Sequence, residues 1–203
     1  MANLEFFFEF ASTYSYPAAM RIEALAAMRD VDVVWRPFLL GPLFHEQQGL
    51  NDSPFNVVPE KGEYMWRDME RICKSEGLPF RRPDVFPQNG LRAARVAVSL
   101  PNAKCSDFTR KIYTANFAEV QDISDLSVIA DVAGYNLEDV ERRAADPANK
   151  RQLRDNTERA KALGVFGAPS FTCTDGELFW GNDRLEASLA WASSLAEKSR
   201  ELV

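Results

Sequence analysis

The chain opens with an apolar segment that predicts a buried β-strand. Residues 4–10 are apolar at nearly every position, with Glu5 and Glu9 as the exceptions. A short continuous apolar run bounded by small polar residues is typical of a strand covered on both faces. The next stretch predicts a helix with Pro17 in its first turn, and residues 31–36 predict a second strand. A β-α-β unit of this length predicts parallel strands joined by a right-handed crossover.

The middle of the chain predicts a loop followed by a series of helices. Residues 41–59 are rich in proline, glycine and small polar residues, so we expect them to form a loop. After this loop, apolar residues recur at helical spacing, and proline, glycine and asparagine mark the helix ends. The predicted helices cover residues 65–73, 91–100, 108–115, 125–132, 137–145 and 147–163.

Strand patterns return near the end of the chain. Residues 170–173 and 177–180 flank a short Thr-Asp-Gly turn, which predicts a hairpin, and a last helix follows. The order β-α-β, helices, β-β-α predicts an α/β fold with a thioredoxin-like four-stranded sheet. We therefore predict one thioredoxin-like domain formed by residues 1–41 and 165–203, with residues 42–164 as a large all-helical insertion.

Composition and charge argue against two classes of function. Lys and Arg number 24 against 30 Asp and Glu, and the net charge of -6 lacks the basic surface of a general nucleic-acid-binding protein. No apolar run approaches the ~18 residues that a membrane span needs. The first residues also lack the basic region of a signal peptide. We therefore expect neither nucleic acid nor membrane as a partner.

The cysteines and the histidine narrow the chemistry further. Cys73, Cys105 and Cys173 are far apart and form no CxxC, zinc or disulfide pattern. We therefore expect no metal and, as the default for such cysteine usage, a reducing cytoplasmic location. His45 is the single histidine of the sequence. A Cys-His or Ser-His pair would have to include it, and we assign it no catalytic role.

Two segments of the chain resemble a known family. Residues 8–16, Phe-Glu-Phe-Ala-Ser-Thr-Tyr-Ser-Tyr, resemble the strand-to-helix junction of 2-hydroxychromene-2-carboxylate isomerases and kappa-class glutathione transferases. Residues 164–171 and 180–184 resemble the cis-proline segment and the acidic start of the last helix in that family. A third match, residues 59–64, is similar to a lysine-bearing segment of the kappa class. The resemblance implies the DsbA-like branch of the thioredoxin fold.

The chain departs from this family pattern at four positions. Thr13 stands where the family usually has proline, and Glu9 stands where it often has aspartate. Pro17 replaces a frequent leucine, and Ala168 replaces a frequent valine. These differences concern the substrate rather than the fold.

Ser12 is the candidate catalytic residue because it lies where the first strand gives way to a helix. Free backbone N–H groups and the positive end of the helix dipole stabilise an anion at such a place. The chain has no cysteine here, so a reactive thiol must come from a ligand, and the resemblance implies glutathione. Ser12 would then donate a hydrogen bond to the sulfur rather than act as the nucleophile. The plain alternative is that Ser12 only caps the helix.

The second family-like segment places Pro169 just before a strand. A trans peptide is the usual form before proline, but the resemblance implies a cis Ala168–Pro169 bond. Such a bond would turn the backbone N–H and C=O of Ala168 toward the ligand. These groups would then pair with the cysteinyl part of glutathione like an added strand.

Four polar residues are candidates for binding the two ends of glutathione. Asp183 suits the γ-glutamyl ammonium, and Asn182 with the N–H groups of the last helix suits the neighbouring carboxylate. By resemblance, Lys61 is a candidate for the glycyl carboxylate, and Asn51 is a further candidate. The plain alternatives are that Asn182 or Asp183 only caps a helix and that Lys61 is simply solvated.

The resemblance implies a glutathione-dependent isomerase. The family reaction interconverts 2-hydroxychromene-2-carboxylate and trans-o-hydroxybenzylidenepyruvate in the bacterial breakdown of naphthalene-like aromatics. The partners would be glutathione and a small aromatic substrate, and a homodimer is common among similar proteins. His45, Tyr64 and Trp66 are candidates for lining a substrate pocket, although such aromatic residues more often pack in cores or loops.

Two other functions stay open at this point. One keeps the glutathione site and changes the chemistry to that of a kappa-like transferase or peroxidase. The other is a non-catalytic thioredoxin-fold binding module without affinity for glutathione. A dithiol oxidoreductase is disfavoured, because Ser12 and Ser15 occupy the positions of both redox cysteines.

Overall fold

The computed structural model describes residues 2–201, which form an α/β protein with four strands and ten helices. A short 3-10 turn, Asn182–Arg184, precedes the last helix. The strands are β1 (Ala2–Phe8), β2 (Val31–Pro37), β3 (Ser170–Cys173) and β4 (Leu178–Trp180). The helices are α1 (Ser15–Ala27), α2 (Leu40–Gln48), α3 (Pro54–Val57), α4 (Pro59–Ser75), α5 (Leu91–Ala97), α6 (Asn102–Phe117), α7 (Leu126–Ala133), α8 (Leu137–Ala145), α9 (Pro147–Ala162) and α10 (Leu185–Glu201).

The four strands form one sheet in the order β2-β1-β3-β4. β1 and β2 are parallel, β1 and β3 are antiparallel, and β3 pairs with β4 as an antiparallel hairpin. The central strand β1 therefore bonds on both edges, with Leu4 opposite Val33 on one side and Cys173 on the other. The predicted thioredoxin-like sheet and the predicted parallel first pair are confirmed.

Helices cover both faces of this sheet, which explains the continuous apolar run in β1. Phe6 and Phe8 point into the larger core, where Phe6 stacks on Phe171 at 5.3 Å between ring centroids. Phe7 points to the other face and packs edge-on against Phe38 at 6.0 Å. Successive side chains of a strand point to opposite faces, so an apolar residue is needed at nearly every position when both faces are buried.

β1 contains one charged side chain, Glu5, and this side chain has ion-pair partners. Glu5 is only 15% exposed and accepts from Arg36 at 2.8 Å and from Arg159 at 2.6 Å. Burial would raise the pKa of Glu5, but the hydrogen bonds and charges of the two arginines outweigh it and lower the pKa. The carboxylate thus links β1 to β2 and to α9.

The predicted loop over residues 41–59 is wrong, because this stretch contains α2 and α3. Leu43 of α2 is fully buried in the smaller core, and this burial favours a helix despite the proline and glycine content. Pro42 lies in the first turn of α2, where a missing N–H costs little. Gly49 ends α2 with a positive φ of 66°, and Ser53 caps α3. The proline, glycine and serine are thus helix-boundary residues rather than loop residues.

The inserted helices and the sheet share one hydrophobic core. The larger cluster includes Phe6 of β1, Ile22 of α1, Met69 of α4 and Ile112 of α6, all of them fully buried. The core is therefore continuous between the sheet and the helices that follow β2. The division into residues 1–41 and 165–203 on one side and 42–164 on the other stays a prediction.

Within residues 2–201, no helix is long and apolar enough to span a membrane. In the same part of the chain, no group of three or more His, Cys, Asp or Glu side chains is placed to hold a metal ion. Cys73, Cys105 and Cys173 are buried and unpaired, and burial raises the pKa of each thiol to about 12. Protonated buried thiols of this kind are poor nucleophiles.

Candidate active site

The junction between β1 and α1 is a tight turn that presents Ser12. β1 ends at Phe8 rather than at residue 10, and the Ser12 N–H donates to the Glu9 carbonyl at 2.9 Å. The Ser12 Oγ accepts a hydrogen bond from the N–H of Ser15, the first residue of α1, at 3.3 Å. The same N–H also donates to the Ser12 backbone carbonyl at 3.2 Å, and the N-cap of α1 is Tyr14, so the Ser12 hydroxyl is a second acceptor for this N–H from a position before the cap.

The Ser12 hydroxyl also contacts the proline segment at the far end of the chain. The Ala168–Pro169 peptide bond is cis, as predicted. The Ser12 Oγ donates to the Ala168 carbonyl at 3.0 Å, although 156 residues separate the two in sequence. The Ser15 Oγ in turn donates to the Ser12 Oγ at 3.0 Å. A short hydrogen-bond chain, Ser15 to Ser12 to Ala168, thus joins the helix start to the cis-proline segment.

A cavity of about 1310 Å³ opens above this contact. It is large enough for a tripeptide and a second small molecule, since ligand pockets usually measure ~300–1,000 Å³. Pro169 is buried and does not line it. The other predicted site residues do line it, namely Ser12, Asn51, Lys61, Ala168, Asn182 and Asp183. The structure therefore brings residues from both ends and the middle of the chain to one cavity.

Lys61 and Asn51 reach the cavity from the inserted helices. Lys61 lies in the first turn of α4 and is exposed, and it forms no ion pair within the described residues. Asn51 follows α2, and its Oδ1 lies 3.1 Å from the Nδ1 of His45. His45 itself lies in α2 rather than in a loop. A lysine without a counter-ion at a cavity wall is suited to binding a carboxylate.

Asn182 and Asp183 form the 3-10 turn before α10 and differ in exposure. Asn182 is buried at 8% exposure, and its Oδ1 accepts from the Nη2 of Arg21 at 3.1 Å. Arg21 is also paired with Glu76 at 2.9 Å. Asp183 is exposed and pairs with Arg184 at 3.1 Å. Neither side chain caps a backbone N–H in the described residues, so the plain cap alternative does not explain them.

Glu9 is a cavity residue whose role the sequence reasoning missed. It is half-buried, and its Oε2 accepts from the Ala11 N–H at 3.0 Å. Burial raises the pKa of Glu9 to about 7, although the Ala11 and Ser12 N–H groups act in the opposite direction. The signal was present in the sequence, because a carboxylate three residues before Ser12 interrupts an otherwise apolar run.

Aromatic side chains form much of the remaining cavity wall. Phe166 and Trp180 are exposed at the cavity and lie 4.8 Å apart between ring centroids. Tyr14 also lines it, and its hydroxyl donates to Asp68 of α4 at 3.1 Å. Burial and the nearby Asp68 raise the pKa of Tyr14, so its phenol stays protonated at neutral pH.

Two of the three aromatic pocket candidates lie where the sequence suggested. His45 and Tyr64 line the cavity, but Trp66 does not. Trp66 instead packs edge-on against Phe86 at 4.9 Å and is 8% exposed. The reason is helix geometry, because residues two positions apart on α4 point to different sides of the helix.

Comparison with known proteins identifies the family. The model of the DSBA-like thioredoxin domain matches residues 3–190 of the chain. The chain belongs to this family. The match spans the sheet, the junction at Ser12, the inserted helices and the cis-proline segment, so the DsbA-like fold that the resemblance implied is confirmed.

The relatives within this family are enzymes. The 2-hydroxychromene-2-carboxylate isomerase of Sphingobium xenophagum is 26% identical over 191 residues, which cover 91% of this chain and 94% of that protein. Glutathione S-transferase kappa 2 of Caenorhabditis elegans is 29% identical over 204 residues, covering 90% of this chain and 88% of that protein. A solved structure of a 2-hydroxychromene-2-carboxylate isomerase superposes with a TM-score of 0.84 at 22% identity, covering 99% of both chains.

Proposed function

We propose that this protein is a glutathione-dependent isomerase that interconverts 2-hydroxychromene-2-carboxylate and trans-o-hydroxybenzylidenepyruvate. The observation that carries the proposal is the contact between Ser12 and the cis Ala168–Pro169 segment on the wall of one large cavity. The relatives named isomerase and glutathione transferase match nearly the whole chain and support the same proposal. The proposal includes a cytoplasmic location and a homodimer, which cell fractionation and analytical ultracentrifugation can test.

The residues around the cavity fit glutathione by charge. Lys61, which forms no ion pair within residues 2–201, provides a cation for the glycyl carboxylate. Asp183, which is paired with Arg184, provides an anion for the γ-glutamyl ammonium. Because Arg21 engages the Oδ1 of Asn182, the amide nitrogen of Asn182 is the group left to donate to the γ-glutamyl carboxylate. Asn51 is a further donor at the same cavity.

Ser12 has one proton to donate, and the contact with Ala168 shows how it would be redirected. In the structure this proton goes to the Ala168 carbonyl. If that carbonyl accepts an N–H from the cysteinyl backbone of glutathione, the Ser12 hydroxyl is free to turn toward the sulfur. Ser15 would hold the Ser12 oxygen in place meanwhile, since its hydroxyl already donates to it. Binding of the tripeptide and activation of its thiol would thus be coupled through one carbonyl.

When bound, glutathione supplies a thiolate that can add to a conjugated carbon of the substrate and be eliminated again after rotation about the resulting single bond. Ser12 and the N–H groups at the start of α1 would stabilise the negative charge on the sulfur. Phe166, Trp180 and other aromatic residues of the cavity wall would shield the aromatic substrate from water.

A kappa-like glutathione transferase is the second candidate, because the kappa-class relative is as similar to this chain as the isomerase is. Both candidates require glutathione at the same site. They differ in whether the sulfur leaves the product or stays on it. Product analysis by mass spectrometry separates them, since an isomerase returns free glutathione and a transferase yields a conjugate.

The test begins with calorimetric titration of the protein with glutathione. An absorbance assay on the chromene carboxylate follows, with and without glutathione. We expect saturable binding and turnover that depends on glutathione. S-Methylglutathione is the matched control, because it keeps both charged ends and has no ionisable thiol, so it should bind without supporting turnover. Absence of glutathione binding would overturn the proposal, and a stable conjugate would favour the transferase.

A further inference from the structure

Glu9 is the one carboxyl group that lies in the same turn as Ser12 and lines the same cavity. It has no ion-pair partner among residues 2–201. Its Oε2 accepts from the Ala11 N–H at 3.0 Å. Its Oε1 lies beside Gly90, since a Cβ on that glycine would come within 3.4 Å of Oε1 and 2.8 Å of the Phe10 Cβ. The carboxylate is thus held between the turn and the backbone of residue 90.

The groups around Glu9 are almost all uncharged. The residues that precede α5 at the cavity, Gln88, Asn89 and Gly90, carry no charge. From α6, the Tyr113 hydroxyl donates to the Glu9 backbone carbonyl at 2.8 Å. Burial and the charge of Glu9 raise the pKa of Tyr113, so this phenol is not a proton acceptor at neutral pH. Among residues 2–201, no cation forms an ion pair with the Glu9 carboxylate or lowers its pKa.

The Glu9 carboxylate accepts from the Ala11 N–H next to Ser12 and lines the same cavity, so an anion on the glutathione sulfur beside Ser12 would share this cavity with it. Two negative charges at one partly desolvated site disfavour each other, and such a pair tends to hold one shared proton. The free carboxyl group is already poised for this, because its pKa of about 7 is close to that of a stabilised thiol.

We infer that Glu9 is the proton acceptor for the glutathione thiol, and that it holds this proton while the sulfur is ionised. The inference rests on the proposed function, because it requires glutathione in the cavity. In this step the S–H bond breaks and its electron pair stays on sulfur, while the proton forms an O–H bond on the Glu9 carboxylate. When glutathione leaves, the proton returns to the sulfur and Glu9 is ionised again. Ser12 stabilises the thiolate, and Glu9 removes the proton.

Four other polar residues at the cavity are less suited to this role. The Lys61 ammonium group has donors and no acceptor, and Asn51 is a neutral amide. Asp183 is exposed and paired with Arg184. Asp68 already accepts from the Tyr14 hydroxyl. Glu9 combines proximity to Ser12 with a carboxylate that lacks a counter-ion.

The test counts the protons released when glutathione binds at about pH 8. At this pH the free Glu9 carboxyl is ionised and most of the free thiol, with a pKa of about 8.5, is still protonated. Calorimetry in buffers of different ionisation enthalpy gives the protons released, and ultraviolet absorbance gives the thiolate formed. We expect close to zero protons released per thiolate in the wild type, because the charge of the new thiolate would raise the pKa of Glu9 and keep the proton on it.

Glu9→Gln is the matched variant, because the amide oxygen can still accept from the Ala11 N–H while the side chain cannot take up a proton. We expect this variant to release about one proton per thiolate formed, or to bind glutathione with the thiol still protonated. A merely structural Glu9 would leave the proton count of the wild type and the variant equal. If the wild type itself releases about one proton per thiolate, the inference is overturned, whatever the variant does.

This experiment separates failure of the inference from failure of the proposed function. If no glutathione binds, the proposed function fails and the inference fails with it. If glutathione binds and its thiol ionises with full release of the proton, only the role of Glu9 is wrong. The wild-type measurement decides the matter even if Glu9→Gln does not fold.

Discussion

Replacing Ser12 with alanine tests the proposed activation of the sulfur most directly. The substitution removes three hydrogen bonds, from the Ser15 N–H at 3.3 Å, from the Ser15 Oγ at 3.0 Å, and to the Ala168 carbonyl at 3.0 Å. The Ser15 N–H keeps its hydrogen bond to the Ser12 backbone carbonyl at 3.2 Å, so two of the three bonds are lost outright. At a net ~0.5–1.5 kcal/mol for each, the free energy of unfolding should fall by about 1–3 kcal/mol. A chain of this size then loses only several degrees in melting temperature, on the order of 2–4 °C per kcal/mol, and the variant should fold.

The effect on turnover should be much larger than the effect on glutathione affinity. One hydrogen bond among several contacts to a tripeptide changes the dissociation constant by roughly two- to tenfold. A donor aimed at charge that the reaction must stabilise is commonly worth about 100-fold or more in rate. We therefore expect Ser12→Ala to bind glutathione nearly as well as the wild type and to turn over about 100-fold more slowly.

The absorbance of the bound thiolate against pH gives an independent measurement. In the wild type the thiol should titrate below the ~8.5 of a free thiol, and in Ser12→Ala the titration should shift back toward that value. The start of α1 remains, so the shift need not be complete. Ser12→Thr is the control, because it keeps the hydroxyl. If Ser12→Ala retains both its thiolate titration and its turnover, Ser12 is only a helix cap and the reasoning is refuted.

Three further predictions concern the ends of the ligand and the stability of the fold. Lys61→Ala and Asp183→Ala should each weaken glutathione binding by about 1–3 kcal/mol, nearer the lower end because both side chains are exposed, as measured by calorimetry. Arg21→Ala should lower glutathione affinity several-fold with the melting temperature as a check on folding, because the Asn182 amide loses the partner that orients it. Glu5→Gln should lose stability at neutral pH and show a flatter dependence of the free energy of unfolding on pH in the acid range. The pKa of Glu5 is lowered in the folded state, so its contribution is present above the usual value of 4.5 and is lost as the pH falls below it.

For each of these predictions, a specific result would contradict it. Lys104 is exposed and does not line the cavity, so Lys104→Ala controls for a general loss of positive charge. If Lys61→Ala and Asp183→Ala bind glutathione like this control, the assigned end contacts are wrong. If Arg21→Ala binds glutathione unchanged, Arg21 serves only its ion pairs with Glu76 and Glu186. An unchanged acid limb in urea titrations of Glu5→Gln would show that other carboxyl groups control acid unfolding.

The sequence by itself determined the elements with strong local patterns. The apolar run at the start, the proline and glycine boundaries and the short terminal hairpin predicted the four strands and most helices. The family-like segments assigned Ser12 and a cis Ala168–Pro169 bond to one site, and the structure contains this bond and adds a direct contact between the two segments. A resemblance can connect distant segments in this way because the fold that joins them is shared, whereas periodicity reports only on neighbours within a helix or strand.

Only the tertiary structure decided the features that depend on burial and on contacts across the chain. α2 became helical because the smaller core buries its Leu43, and no local pattern shows that core. His45 lines the cavity and Trp66 does not. The reason is that the packing of each helix decides which of its faces borders the cavity. The pKa of Glu9 follows from desolvation between the turn and residue 90. Burial is a property of the assembled chain, so a carboxylate that looks ordinary in sequence acquires its chemistry only when the fold encloses it.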